Sequence, residues 1–229
     1  MTWNLAYAHL LDYILADRFV IPEASRPHYA EHVVYLPDTF QANDSQRPAV
    51  DTCPAREALG LPPDAFVYCA FNSTYKIVPE WFDGWMRALQ GVERSVLWLL
   101  GGNATVERNL RREAELRGVA PSRLIFAPKV PYGDYLARYR AADLFLDTFP
   151  FNGGTTVSDA LWAGLPVLTC AGEAFAARMA GSLLASVALP ELVLRQAPEQ
   201  RGRVQRPRVS FPPSDRRPQG LHRWAERGR

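Results

Sequence analysis

From residue 66 onward, short β-rich apolar runs alternate with helix-length amphipathic segments. That alternation constrains the fold more than any other feature of the chain. Strands joined by helical crossings run parallel, and a parallel sheet needs both faces covered, so the pattern predicts an α/β chain with a doubly wound parallel sheet. The runs are FVYCAF at 66–71, SVLWLL at 95–100, LIF at 124–126, LFLD at 144–147 and PVLT at 166–169. Between them, helices are predicted from Pro79, over 105–117, 134–141 and 155–163, with a last one over 175–185. Pro79 suits a first helical turn because its missing N–H has no partner there, and Trp81, Trp85, Met86 and Leu89 follow at helical spacing. Gly118 stands where a helix C-terminus favours positive φ.

The flanks are different. Residues 13–19 and 33–36 read as strands, and 41–64 as an extended linker, so 1–65 is a partial lead-in to a lobe at 66–193. Residues 194–229 carry ten Arg and five Pro against Glu199, Asp215 and Glu226, a net +7, which leaves −5 on the rest of a chain whose total is +2. Such a segment cannot bury enough apolar surface to order itself, so disorder is expected. It has few aromatics and no lysine for a nucleic-acid arm, and an out-of-frame stretch of a GC-rich gene has the same composition. With 48% hydrophobic and 22% charged residues over 229 positions, the chain as a whole is an ordinary globular one. Cys53, Cys69 and Cys170 are odd in number and sit in apolar surroundings, which fits a reducing, cytoplasmic setting and no disulfide framework. No uncharged apolar run reaches about 18 residues and the start lacks a basic n-region, so neither a membrane span nor a signal peptide is read.

Chemistry concentrates in three places. In FPFNGGTTVSD, two glycines allow close backbone approach and Thr155 and Thr156 open a helix, an arrangement whose free amides and dipole suit a phosphate. An ordinary strand-to-helix turn with a threonine cap gives the same letters. Lys76, one of two lysines beside 24 arginines, follows the end of the first clear strand and can reach the same crevice with a compact charge; by itself it also reads as an exposed lysine. Tyr132 and Tyr135, after Pro131 and one turn before Arg138, are candidates to stack on a base or simply belong to a core edge.

These segments together resemble the O-linked N-acetylglucosamine transferases, glycosyltransferase family 41. FNSTYKI, SVLWLL, RLIFAPKVP, ADLFLDTFPFNGGTTVSDALWAGLPV and GEAFAARMAGSLL carry the resemblance over 66–193, and DYILADRFVIPEASRPHYAEHVVYLPD extends it upstream. It implies a Rossmann-like doubly wound sheet forming the carboxy-terminal, donor-binding lobe of a GT-B glycosyltransferase. It also implies transfer of N-acetylglucosamine from UDP-N-acetylglucosamine to protein Ser or Thr with inversion, without cofactor or metal. Position by position, Lys76 is the implied catalytic residue, stabilising the departing diphosphate, with Ser73 beside it. Val130, Pro131 and Tyr132 match the uracil loop, Tyr135 and Arg138 the base and ribose turn, Gly154, Thr155 and Thr156 the phosphate triplet, and Asp159 the ribose-side acid.

Well-known animal members differ, with His at Gly154 and Tyr135, Lys at Tyr132 and Gln at Ser73; Gly-Gly-Thr-Thr is common among bacterial relatives. The family's tetratricopeptide repeats, amino-terminal lobe and closing helices have no counterpart in the sequence, and none of His9, His28, His32 and His222 falls in a matched catalytic motif. The implied partners are therefore a UDP-sugar, a protein acceptor and that missing lobe, with no nucleic acid or membrane. A relative transferring another sugar, such as glucose, and a non-catalytic UDP-binding remnant are the alternatives.

Overall fold

A computed structural model describes residues 11–195 apart from 45, 49 and 51. The arginine-rich segment from 196, with the disorder and basic arm read there, lies outside the described residues. Six parallel strands form the main sheet: β3 (Phe66–Ala70), β4 (Ser95–Leu100), β5 (Leu124–Ala127), β6 (Leu144–Leu146), β7 (Val167–Ala171) and β8 (Val193–Arg195). Their order is β5-β4-β3-β6-β7-β8. The chain winds outward one way from β3, then returns beside it through β6 and winds the other way. The carboxyl ends of β3 and β6 therefore diverge into a crevice, the topological switch point where ligands bind in such sheets.

Along β3, residues alternate between two cores, as a strand buried on both faces requires. Val67, Cys69 and Phe71 pack with Trp98, Tyr139, Phe145, Val157 and Leu183 on one side. Tyr68 and Ala70 pack with Trp81, Trp85, Leu89 and Leu97 on the other. Helices α1 (Pro79–Gly91) and α2 (Ala104–Glu115) cover the second face; α3 (Tyr132–Arg138), α4 (Thr155–Trp162) and α5 (Met179–Ser186) cover the first. Their boundaries follow local chemistry. Pro79 occupies the first turn of α1, the Asn103 side chain caps α2 by accepting from the Thr105 and Val106 amides at 3.0 and 3.1 Å, and Gly118 has φ +76° after α2.

Three segments differ from the sequence reading. Strand β8 was not expected: Val193, Leu194 and Arg195 pair with Thr169, Cys170 and Ala171, because register with a buried neighbour decides a three-residue strand that has no periodicity of its own. The first strand, β1 (Tyr13–Ala16), stops three residues early, since the Asp17 carboxylate accepts from the Phe19 and Val20 amides at 2.7 and 2.9 Å and turns the chain. The stretch read as an extended linker at 41–64 is anchored to the lobe at Arg56, which donates to the Ala141 and Ala65 carbonyls at 3.0 and 2.8 Å and pairs with Asp143 at 2.7 Å.

β1 and β2 (His32–Tyr35) form a separate parallel pair. One face packs Ile14, Ala16 and Val33 against Val20, Ile21, Phe40 and Phe175. On the other, Tyr13, Leu15 and Val34 stand 65%, 58% and 39% exposed. Among the described residues, no helix is long and apolar enough to cross a membrane.

Candidate functional site

Just past β3 the chain turns from apolar to polar at Asn72, and just past β6 it does the same at Asp147; both side chains are buried. They join across the switch point. Asn72 donates from Nδ2 to Asp147 Oδ1 at 2.8 Å and to Thr148 Oγ1 at 3.0 Å, and its Oδ1 accepts the Thr156 hydroxyl. Asp147 also accepts the Gly153 amide at 2.8 Å and the Thr169 hydroxyl at 2.6 Å. Burial pushes its carboxyl up to about 6, against the opposing pull of these donors. The network holds the loop between β6 and α4 in one shape.

Gly153 is required there by space. A Cβ would lie 2.5 Å from Thr156 Oγ1, 2.7 Å from Asn72 Oδ1 and 2.9 Å from Val157 Cγ2. Gly154 caps α4, whose first backbone bond runs from the Ser158 N–H to the Gly154 carbonyl at 2.9 Å. The amides of Thr155, Thr156 and Val157 thus precede the first helical bond, and the positive end of the helix dipole adds to them. The Thr156 hydroxyl is committed to Asn72, so in this arrangement Thr156 offers its amide and Thr155 both amide and hydroxyl.

Lys76 ends the short 3-10 turn that follows β3. Its Nζ donates to the Asn152 carbonyl at 2.9 Å and lies 3.8 Å from the centre of the Phe151 ring. Burial draws its pKa below the ordinary lysine value, while the nearby Asp147 charge pulls the other way. The ammonium therefore stands against the loop that carries the two glycines. Ser73 is exposed at the start of that turn, its carbonyl accepting the Lys76 amide at 3.0 Å.

On the far side of α4, Asp159 Oδ1 accepts the Tyr132 hydroxyl at 3.0 Å and Arg47 Nη1 at 3.1 Å. Burial raises the Asp159 pKa; the two donors oppose it. The Tyr132 ring is 46% exposed and stacked on Tyr135, with centroids 6.2 Å apart and planes at 24°. Tyr135 is largely buried, its hydroxyl bonded to that of Tyr139. Arg138 is buried and donates to the Pro128 carbonyl at 2.5 Å, so it shapes the loop before α3. In that loop Pro131 accepts the Tyr135 amide at 2.9 Å. Neither backbone group of Val130 has a partner among the described residues.

The structure thus sets Lys76 against the loop that leads to Gly154, Thr155 and Thr156, joins Tyr132 to Asp159 on α4 with Tyr135 stacked on Tyr132, and bonds Arg138 to the Pro128 carbonyl. Asn72, Asp147 and Arg47 were not singled out from sequence. For the first two a signal exists, the first polar residue after a buried apolar strand. Arg47 sits in a segment without periodicity and shows none.

A Rossmann-like sheet with an anion-suited helix start and a lysine at its switch point defines a lobe of the GT-B glycosyltransferase type. The Glycosyl transferase family 41 model matches residues 45–205, and the chain belongs to that family. It is 37% identical over 187 residues to an Arabidopsis thaliana protein named as a probable UDP-N-acetylglucosamine–peptide N-acetylglucosaminyltransferase, covering 80% of this chain and 19% of that protein. Over 145 residues it is 39% identical to the Caenorhabditis elegans UDP-N-acetylglucosamine–peptide N-acetylglucosaminyltransferase, covering 63% of this chain and 13% of that one. A solved mutant of the Thermobaculum terrenum O-GlcNAc transferase superposes with a TM-score of 0.72 at 29% identity, over 95% of this chain and 41% of the other. The sucrose-phosphate synthase of Thermosynechococcus elongatus shares the fold, with a TM-score of 0.55 at 18% identity. The chain therefore spans about a fifth or less of the length of the Arabidopsis thaliana and Caenorhabditis elegans relatives.

Proposed function

We propose that this chain is the donor-binding lobe of a protein O-N-acetylglucosaminyltransferase, taking UDP-N-acetylglucosamine at the crevice between β3 and β6. One observation carries the reading: the Lys76 ammonium is held on the Asn152 carbonyl, in the glycine loop that leads into the first turn of α4, in a chain of this family. Charge that develops on a departing diphosphate would meet fixed donors already in place, which is how such a site lowers a barrier. Lys76 and the Thr155 and Thr156 amides take the diphosphate, and Tyr132 with the Val130 backbone takes the base. Asp159 takes the ribose. No metal or cofactor is assigned a part.

Transfer with inversion to a protein Ser or Thr also needs an in-line acceptor and a route for its proton. Those belong to an amino-terminal lobe, with tetratricopeptide repeats beyond it. The apolar face of Leu11, Tyr13, Leu15 and Val34 supports such a neighbour, because a parallel pair is normally covered on both faces. A reducing, cytoplasmic setting in a bacterium goes with this reading, the three cysteines being unpaired.

Titration calorimetry with UDP tests it. The intact chain is expected to bind, and Lys76→Ala to bind roughly 10- to 100-fold more weakly, the range of one charged hydrogen bond. Unchanged affinity in the variant would remove Lys76 from the phosphate site. A well-folded chain that bound no UDP would be a remnant of the family and not a working lobe.

A further inference from the structure

The guanidinium of Arg47 is 7% exposed and the Asp159 carboxylate beside it 3%. Nη1 donates to Asp159 Oδ1 and to Ser158 Oγ, both at 3.1 Å, and Nη2 to Asn43 Oδ1 at 2.7 Å. The Ser158 hydroxyl in turn donates to Asn43 Oδ1 at 2.6 Å, closing a ring of three side chains. The guanidinium lies 5.8 Å from the centre of the Trp162 ring, and Trp162 Nε1 donates to the Pro48 carbonyl at 3.1 Å. Asn43, Arg47 and Pro48 are thus strapped along α4 from Ser158 to Trp162.

Stability alone does not account for this. A buried ion pair contributes little over an apolar pair of the same size, because desolvation offsets the attraction. Its placement is more telling. Asp159 Oδ1 is gripped from two elements at once, by Arg47 from the strap and by the Tyr132 hydroxyl from α3. Among the described residues both side-chain donors to this carboxylate meet Oδ1 and none meets Oδ2. One cation therefore holds a carboxylate at a set angle and, through it, the half-exposed Tyr132 ring.

Resting on the donor-lobe reading, we infer that Arg47 is a positioning residue for the nucleoside half of the site, fixing Asp159 and Tyr132 so that uridine is recognised separately from the diphosphate. On α4 Arg47 bonds Ser158 and Asp159, and among the described residues it makes no bond to Lys76, Thr155 or Thr156, the diphosphate half. Loss of Arg47 should accordingly weaken the nucleoside contribution and leave the phosphate contribution intact.

Calorimetry of the full chain with UDP and with inorganic pyrophosphate tests this, beside thermal melting. Arg47→Met keeps much of the stem on Trp162 and removes the charge. It is expected to bind UDP at least about tenfold more weakly, the size of one charged hydrogen bond, with pyrophosphate affinity within about twofold of wild type. Arg47→Lys, which can restore one contact to Asp159, should fall between. Tyr132→Phe removes one hydroxyl from a half-exposed ring and should show the same selective loss, which keeps the question open to test if Arg47→Met does not fold. A folded Arg47→Met with wild-type UDP affinity, or parallel loss of both ligands, would overturn the inference. Wild-type protein that bound neither ligand would overturn the donor-lobe reading itself.

Discussion

Gly153→Ala is expected to lose about 2–4 kcal/mol of folding stability and measurable UDP binding together, since an inserted methyl overpacks the loop and breaks buried hydrogen bonds. The added carbon would lie 2.5 Å from Thr156 Oγ1 and 2.7 Å from Asn72 Oδ1, and these two atoms are bonded to each other. Neither can retreat without leaving a buried polar group unpaired. The Gly153 amide is also bound to Asp147, so a backbone shift transmits the strain to the core. Denaturant melts of the variant beside wild type, followed by a UDP titration, check it. Unchanged stability would mean that the loop has a second, roomier arrangement.

Asp147 should show the other large effect. In Asp147→Ala the Asn72, Gly153 and Thr169 donors lose their acceptor. Each orphaned donor costs about 1–3 kcal/mol, and relief of the buried charge returns part of that, for a net loss of roughly 2–4 kcal/mol. Asp147→Asn keeps an acceptor oxygen and removes the charge, which isolates the titration. The folded carboxyl sits at about 6 against an ordinary 3.8, so between those values the folded protein binds the proton more readily than the unfolded chain. This group therefore burdens the fold above about pH 6 and the burden lifts as pH falls. Wild type should gain about 1 kcal/mol relative to Asp147→Asn between pH 7 and pH 5, read from paired melts. A difference that stays flat with pH would show the carboxyl titrating in its ordinary range.

How far the site could be read in advance depended on where each residue stands. Lys76 follows a strand end and Thr155 and Thr156 open a helix, positions that the local sequence gives. Arg138 is on the matching turn, yet its guanidinium folds back to the Pro128 carbonyl. Tyr135 and Tyr132 share one helix face, but packing against Tyr139 buries the first and leaves the second half exposed. Spacing could not separate them.

Periodicity, glycine and proline punctuation and the polar closure of apolar runs are local, and they determined the α/β class, five of the six main strands, the helices between them and the chemistry of the loop at 147–156. The tertiary structure decided whatever depends on a partner distant in the chain. Strand β8 exists because β7 offers it a register. The segment 43–48 became part of the site because Arg47 meets Asp159, 112 residues further on. Burial raised Asp147 because the sheet and α4 close over it. Contacts of such separation leave no period in a sequence, since they cost chain entropy that only the assembled core repays.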